Sequence, residues 1–359
     1  MRDGFPDVGI VSMGMHLPEG VMTAAEIAAE SGLPEWVVRE KLGIEQKYIA
    51  GPDDHPNEMA IAAARDCLAQ CDVDPAEIDV VISTTEEWRE YLMWTCGIHI
   101  AEEIGATNAW GVDVHMRCCT TIAALRMARE MMIANDDVDT VLIAGGYNVS
   151  HFIDLTNLRT SFMFNIGAGA GAILLRKDHP RNHVLGSHLI SDGSMSKHVI
   201  VPASGTVEHP TNDAVKEGRF TFDLVEPEAM KARLNEVSMD NWMTCLDRAL
   251  AKSGPGADGA PLTRDAIDFL DLILVKRSAH QDMLDRLGLT WDDTVYLNHF
   301  GHIGEQDSII ALIEAEREGK LDDGDLVAVM GAGIGYVWGA AVIHWGEAPN
   351  GSPSNGEVA

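Results

Sequence analysis

Two adjacent cysteines stand where a strand-like stretch gives way to a helix. Cys118 and Cys119 follow the run VDVHMR at 112–117, and from Ile122 to Ala128 the apolar residues recur at helical spacing. At the start of a helix, unpaired backbone N–H groups and the positive end of the helix dipole stabilise an anion and favour a thiolate over a thiol. The pair therefore contains either a nucleophile or only buried structural thiols.

Two patterns elsewhere in the chain could indicate a site for a metal or a cofactor. His299 and His302, in LNHFGHIG, form an H-x-x-H pair that could bind a metal, but no third ligand stands at a convincing spacing. The glycines of NIGAGAGA at 165–172 precede a strand and not a helix, which argues against a dinucleotide-binding loop. We expect neither a metal nor a cofactor.

Composition limits the partners of such a site. The chain has 359 residues, 46% of them hydrophobic, and a formal net charge of -30, which argues against binding to nucleic acid or to an anionic membrane surface. No apolar stretch reaches the roughly 20 residues that cross a bilayer. The six cysteines are scattered in a chain without a secretion signal, so we expect free thiols and a cytoplasmic protein.

The elements that must position these residues alternate between short β-rich runs and longer amphipathic helices. Predicted strands cover 8–13, 79–84, 109–115, 139–144, 168–175, 184–190, 268–275, 294–297, 325–330 and 337–345. Predicted helices cover 57–71, 94–105, 118–134, 154–162, 227–253, 280–287 and 305–318. The pattern indicates an α/β protein of two similar halves, residues 1–178 and 179–345, followed by a disordered tail at 346–359.

Several stretches, in order, resemble the thiolase superfamily of condensing enzymes, most closely its ketoacyl-ACP synthase III branch, to which hydroxymethylglutaryl-CoA synthase is related. They include GIVSMGMHLPEGVMT, PEWVVREKLGIEQKYIA, VDVHMRCCTTIAAL, FMFNIGAGAGAILL and GAGIGYVWGAAVI. The resemblance spans nearly the whole chain. It implies a five-layered αβαβα fold built from two pseudo-repeated halves, and a homodimer.

The resemblance assigns roles to the cysteine pair and to the last glycine-rich turn. Counted from Asp113, the family's reactive cysteine falls on Cys118 and not on Cys119. The family stabilises the thioester oxyanion with two backbone N–H groups, which fall here on Cys118 and Ile334. The implied chemistry is therefore acylation of a cysteine thiolate.

The family's catalytic His and Asn are not both matched. His280-Gln281 resembles the family's His-Gln pair, although a gap-free count from Val275 puts Arg277 in that place. His302 replaces the family's Asn, and a cysteine with two histidines is the arrangement of the elongating ketoacyl synthases. The resemblance thus implies that His280 and His302 stabilise the enolate and the thioester carbonyl and transfer protons.

The segment after the second predicted strand carries two further implied roles. Glu86 stands where hydroxymethylglutaryl-CoA synthases have a catalytic glutamate, so it is either the base for an acetyl methyl group or a solvated residue at a strand end. The stretch that follows resembles the family's dimer-crossing segment. Tyr91, Leu92 and Met93 would then shape the acyl pocket of the partner subunit.

The implied activity is formation of an acyl-Cys118 thioester followed by a Claisen-type condensation of acyl thioesters. Acyl transfer to a non-thioester acceptor, an HMG-CoA-synthase-like condensation and a noncatalytic scaffold subunit remain alternatives. Carrier proteins are acidic and dock on basic patches, so the net charge favours acyl-CoA over acyl carrier protein as the substrate. Trp36 and Arg39, in the EW stretch that resembles the family's CoA-contacting segment, would line the CoA entrance.

Overall fold

The computed structural model describes residues 6–86, 88–256 and 259–347. Within them the strands, numbered in chain order, are β1 Val8–His16, β2 Gly20–Thr23, β3 Gln46–Ile49, β4 Val80–Ser83, β5 Trp110–Asp113, β6 Thr140–Asn148, β7 Ala168–Lys177, β8 Arg181–Ser191, β9 Val199–Ile200, β10 Asp223–Leu224, β11 Phe269–Leu272, β12 Leu326–Gly333 and β13 Val337–Glu347. The α-helices are α1 Ala24–Ser31, α2 Glu35–Val37, α3 Pro56–Ala69, α4 Cys96–Ile104, α5 Thr120–Ala134, α6 Asn212–Lys216, α7 Pro227–Lys252, α8 Arg277–Leu287 and α9 Asp307–Arg317. Turns of 3₁₀-helix lead into α5 and α9, at Arg117–Cys119 and Gly304–Gln306.

One mixed sheet of nine strands runs through the described residues in the order β11-β12-β13-β8-β1-β7-β6-β4-β5. In the first half, β1, β7 and β6 pair antiparallel, and β6 pairs parallel with β4. In the second half, β8, β13 and β12 pair antiparallel, and β12 pairs parallel with β11. The second half therefore repeats the strand pattern of the first, and β1 joins β8 where Gly9 faces His183.

Three clusters of buried apolar residues join the helices to the sheet. Two lie on its outer faces, and one lies between its two halves. Helices α3 and α4 pack on strands of the first half, and α7 and α8 pack on strands of the second. Helices α5 and α9 pack together with strands from both halves. Because α5 and α9 are covered from both sides, the layers follow the predicted αβαβα order.

Most predicted elements form, but two do not. In the predicted helix 154–162, the side chains of Asp154 and Asn157 accept hydrogen bonds from nearby backbone N–H groups, which compete with helix bonds, and only a 3₁₀ turn at Leu158–Met163 forms. The predicted strand 294–297 makes a single bridge, between Thr294 and Leu270.

The predicted boundary near 178 coincides with the turn between β7 and β8, whereas the division into two domains stays a prediction. Most of the predicted tail, from 348 onward, lies outside the described residues. Among the residues that are described, no helix combines the length and the apolar character needed to cross a membrane.

Candidate active site

Cys118 lies in the 3₁₀ turn that leads into α5 and meets a histidine from the other half of the chain. Its Sγ is 3.1 Å from Nε2 of His302. Cys119 is buried, and its Sγ faces the carbonyl oxygen of Val337 at 3.9 Å. Burial raises the pKa of the Cys119 thiol well above its usual value, and the neighbouring Cys118 raises it further. Of the two thiols, Cys118 is therefore the one placed to react.

Two backbone hydrogen bonds hold His302 in place. Its N–H donates to the carbonyl oxygen of Asn165 at 2.7 Å, and its carbonyl oxygen accepts from the N–H of Gly167 at 2.9 Å. These bonds hold residue 302 against the glycine-rich segment that leads into β7. The imidazole then reaches Cys118 with Nε2 and a buried carboxylate, Asp307, with Nδ1.

Asp307 is the first residue of α9 and orients the histidine. Its Oδ2 lies 2.6 Å from Nδ1 of His302 and accepts the N–H of Leu274 at 2.8 Å. Its Oδ1 accepts the N–H of Ile303 at 2.7 Å. The carboxylate is fully buried, so these bonds leave it little freedom. Cys118, His302 and Asp307 thus form a continuous hydrogen-bonded chain.

Asp307 was not among the residues predicted from the sequence. The available signal was an acidic residue at the start of a predicted helix, five positions after His302, where a carboxylate is also favoured by the helix dipole.

Burial and the neighbouring groups have opposite effects on the pKa of His302. Burial lowers the pKa of the imidazole, whereas the Asp307 carboxylate and the Cys118 sulfur raise it. The net pKa lies well above the ordinary value for histidine. A histidine in this state binds the proton of a neighbouring thiol strongly, as a general base requires.

Glu86 is a buried residue of the site and not a solvated strand end. Its side chain is only 5% exposed. Its Oε1 accepts a hydrogen bond from Oγ1 of Thr120 at 2.8 Å, and its Oε2 accepts one from Nη1 of Arg117 at 2.8 Å. Since Arg117 and Thr120 flank the cysteine pair, the carboxylate is held at the start of α5, close to Cys118.

Glu305 and Tyr147 are two further polar side chains in this region. Burial raises the pKa of Glu305 well above its usual value, and the charge of Glu86 raises it further. Burial likewise raises the pKa of Tyr147, with further contributions from Cys118, Glu305 and Glu86. Each of these groups thus affects the proton affinity of its neighbours near Cys118. No sequence signal singled out either residue.

The structure does not bring His280 to this site, which corrects the expectation drawn from the His-Gln motif. Helix α8 begins at Arg277, and His280 lies one turn later, fully buried. Its Nε2 is 3.0 Å from Oγ1 of Thr294, and its ring stacks on Trp291 with centroids 5.1 Å apart. Burial, with a smaller effect of Arg277, lowers its pKa to about 4, so the ring is neutral at physiological pH.

The guanidinium of Arg277, which a gap-free count matches to the family's histidine, lies 4.1 Å above the ring of Trp291. The backbone of Leu274, which bonds to Asp307, is the part of this segment that reaches the site.

The last glycine-rich turn approaches the backbone of Cys118. A Cβ added to Gly333 would lie 3.0 Å from the Cys118 nitrogen and 2.7 Å from the Arg117 Cβ, so this close approach requires glycine. Ile334 follows immediately and is half-buried. The turn is thus adjacent to Cys118, while the role of the Ile334 N–H as an oxyanion donor stays a prediction.

The segment from Trp88 to Ile98 presents large apolar side chains at the surface of a single chain. Tyr91, Leu92 and Met93 are 69%, 87% and 102% exposed. The base of the segment is fixed to Asp113, whose carboxylate accepts hydrogen bonds from the Arg89 guanidinium and from the first two N–H groups of α4. The segment is therefore anchored at its ends and exposed at its tip.

Trp36 and Arg39 differ in their availability to a ligand. Trp36 is 54% exposed at the short helix α2. The Arg39 guanidinium pairs with Glu35 at 2.8 Å and also with Glu45. Binding of CoA by either residue stays a prediction, and Arg39 would have to exchange a carboxylate for a phosphate. In the part of the chain that the structure describes, no group of three His, Cys, Asp or Glu side chains is arranged to hold a metal.

Comparison with known proteins identifies relatives along most of the chain. Residues 112–193 match the family 3-Oxoacyl-[acyl-carrier-protein (ACP)] synthase III, and residues 258–345 match its C-terminal family. A beta-ketoacyl-[acyl-carrier-protein] synthase III of Symbiobacterium thermophilum is 29% identical over 94% of this chain and 98% of its own. Its counterpart from Thermus thermophilus, a solved structure, has a TM-score of 0.77 and 25% identity, covering 95% of this chain and 100% of its own.

The fold extends to a more distant solved structure. OleA of Xanthomonas campestris has a TM-score of 0.77 at 17% identity, covering 95% of this chain and 99% of its own. These similarities confirm the predicted thiolase fold, and the relatives are enzymes, which disfavours the noncatalytic scaffold.

Proposed function

Because the chain is a thiolase-fold condensing enzyme of the 3-oxoacyl-ACP synthase III type, we propose that Cys118 is its acylated nucleophile. The 3.1 Å contact between Cys118 Sγ and His302 Nε2 carries this proposal. A thiol needs a base to become a good nucleophile, and a histidine held by a buried carboxylate is such a base. The buried Cys119 has no comparable partner among the described residues.

In the first half-reaction, His302 takes the proton of Cys118, and the thiolate attacks the carbonyl carbon of an acyl thioester. The negative charge that develops on the carbonyl oxygen would be stabilised by the backbone N–H groups of Cys118 and Ile334. The carbon–sulfur bond of the original thioester then breaks, and the released substrate thiol takes the proton from His302. The product is acyl-Cys118.

In the second half-reaction, a carbanion formed from a second acyl thioester attacks acyl-Cys118. Glu86 is the base that we propose for removing the α-proton, because its buried carboxylate is held at the start of α5. A carbon–carbon bond forms, the Cys118 thiolate leaves, and the proton passes from Glu86 to the thiolate. The product is a 3-oxoacyl thioester, and the enzyme returns to its starting state without a metal or a cofactor.

The chain from Asp307 through His302 to Cys118 also supports a second candidate function. One histidine oriented by a carboxylate can remove the proton from a hydroxyl or amine, which would then take the acyl group from Cys118. The site lacks a second imidazole, since His280 lies elsewhere. Acyl transfer to an alcohol or amine is therefore the alternative to condensation.

The proposed substrate is acyl-CoA and the proposed assembly is a homodimer. The net charge of -30 gives little attraction to an acidic carrier protein. The exposed Tyr91, Leu92 and Met93 are suited to burial against a second subunit, where they would line its acyl pocket. A reduced Cys118 is required, which supports a cytoplasmic location.

The proposal can be tested by intact mass after incubation with a panel of acyl-CoAs. The expected result is the mass of one acyl group, absent in Cys118→Ala. Addition of a second acyl-CoA should then release a 3-oxoacyl-CoA, and addition of alcohols or amines should not release an ester or an amide. Release by alcohols or amines alone would establish the second candidate, and no mass gain with any acyl-CoA or acyl carrier protein would refute both.

A further inference from the structure

Condensation creates a negatively charged enolate oxygen that hydrogen-bond donors must stabilise. The site lacks one of the two imidazoles expected as donors. His302 faces Cys118 and can donate one hydrogen bond when protonated. The second histidine expected from the sequence, His280, is bonded to Thr294 instead. Another donor close to Cys118 is therefore needed for an efficient second half-reaction.

Hydrogen bonds hold Glu305 between the end of β4 and the first turn of α5. Its Oε1 accepts a hydrogen bond from Nε2 of Gln306 at 2.8 Å, and the same amide donates to Oγ1 of Thr84 at 3.0 Å. Its backbone carbonyl accepts from Oγ1 of Thr121 at 2.6 Å. Thr84 follows β4 and Thr121 lies in the first turn of α5, so Glu305 is fixed beside the elements that carry Glu86 and Cys118.

The second carboxyl oxygen of Glu305 is the unusual feature. The side chain is fully buried, and Oε2 has no hydrogen-bond partner among the described residues. A buried polar atom without a partner costs free energy, and a bound substrate that supplied the partner would remove that cost.

The charges around Glu305 favour its neutral form. Burial raises its pKa, and Glu86 and then Cys118 raise it further. Glu305 in turn raises the pKa of Tyr147, and Arg117, which pairs with Glu86, contributes a positive charge nearby. Since Oε1 already accepts a hydrogen bond, the proton belongs on Oε2, where it has no acceptor until a substrate arrives.

We propose that Glu305, as a neutral carboxylic acid, donates a hydrogen bond from Oε2 to the enolate oxygen of the second acyl thioester. The donor takes the place of the missing imidazole and makes no covalent bond. The proton stays on Glu305 throughout, while Glu86 removes the α-proton and passes it to the departing Cys118 thiolate. The inference rests on the proposed condensation and adds a catalytic residue to it.

The test compares Glu305→Ala and Glu305→Gln with the unchanged enzyme in three measurements: acylation of Cys118 by intact mass, condensation rate, and exchange of the α-protons of acetyl-CoA with deuterated solvent. Glu305→Ala should acylate within about threefold of the unchanged enzyme and lose about 10²–10³-fold in condensation and exchange, the usual cost of one oxyanion donor. Glu305→Gln keeps a neutral N–H donor and should recover to within about tenfold.

The pH profile separates this role from a structural one. Condensation by the unchanged enzyme should fall as pH rises and Glu305 ionises, and this fall should be absent in Glu305→Gln, because an amide does not titrate. Glu316→Gln, which changes a partly buried carboxyl facing Arg181, is the control and should keep the original profile.

Wild-type condensation and exchange in Glu305→Ala, or a Glu305→Gln variant as impaired as Glu305→Ala at an unchanged melting temperature, would overturn the role of Glu305. Failure of the unchanged enzyme to condense at all would instead refute the proposed function. The two outcomes are distinct because acylation and condensation are measured separately.

Discussion

Replacing Asp307 with Asn tests the hydrogen-bonded chain most directly. The carboxylate accepts three hydrogen bonds, from His302, Leu274 and Ile303, at 2.6 to 2.8 Å. An amide has one oxygen, so it cannot accept bonds on both sides. If the oxygen serves Ile303, the NH₂ group faces Nδ1 of His302 and forces the proton onto Nε2, where the imidazole can no longer take the Cys118 proton.

The expected loss in the rate of Cys118 acylation is about 10²–10⁴-fold, the usual range for a lost general base, which corresponds to about 3–5 kcal/mol of activation free energy. The N–H of Leu274 also loses its acceptor, at a cost of about 1–3 kcal/mol in the free energy of unfolding. Acylation should be followed by quenched intact mass and stability by urea denaturation. Asp323→Asn, which changes a surface carboxylate paired with Arg181, is the matched control.

The pH dependence of stability gives a second readout for the same variant. The pKa of His302 is raised in the folded protein, so its stabilising effect is complete below the unfolded pKa of about 6.5 and is lost as pH rises through the folded value. Within that window one group contributes a slope of about 1.4 kcal/mol per pH unit. Asp307→Asn should reduce this slope. A folded variant that acylates within threefold of the unchanged enzyme and keeps the slope would refute the reasoning.

Three further predictions concern the cysteine pair, the displaced histidine and the exposed segment. Cys118→Ala should abolish acylation by acyl-CoA and Cys119→Ala should leave most of it, and equal loss in intact mass would show that the interval was misread. His280→Ala should acylate within about threefold but lose about 2–4 kcal/mol of unfolding free energy in urea, because a buried ring is removed; a large loss of acylation in a stable variant would place His280 back in the mechanism. The substitutions Leu92→Glu and Met93→Glu place charges on the apolar surface that we expect the dimer to bury, so they should convert the dimer to a monomer in sedimentation at micromolar concentration. A monomeric starting protein would contradict the proposed assembly.

Local pattern was sufficient for most of the helices and strands. The helices α3, α5 and α7 form within a few residues of their predicted bounds, because their apolar faces recur at helical spacing and are buried in the core. The family resemblance, counted from Asp113, selected Cys118 over Cys119 as the nucleophile, and that role stays a prediction. The structure supplies the physical counterpart: Asp113 holds the start of α4, while the chain turns from β5 into the helix that carries Cys118.

Only the tertiary structure decided which side chains meet that nucleophile. The sequence allowed His280 at the site, but α8 begins at Arg277 and turns the ring toward Trp291, because the face that a helical residue presents depends on where the helix begins. Asp307 and Glu305 had no motif to mark them. Asp307 contacts His302, and Glu305 contacts Thr121 in the first turn of α5, because α9 packs beside α5 between the two halves of the sheet. A contact between residues 184 positions apart follows from that packing and not from local spacing.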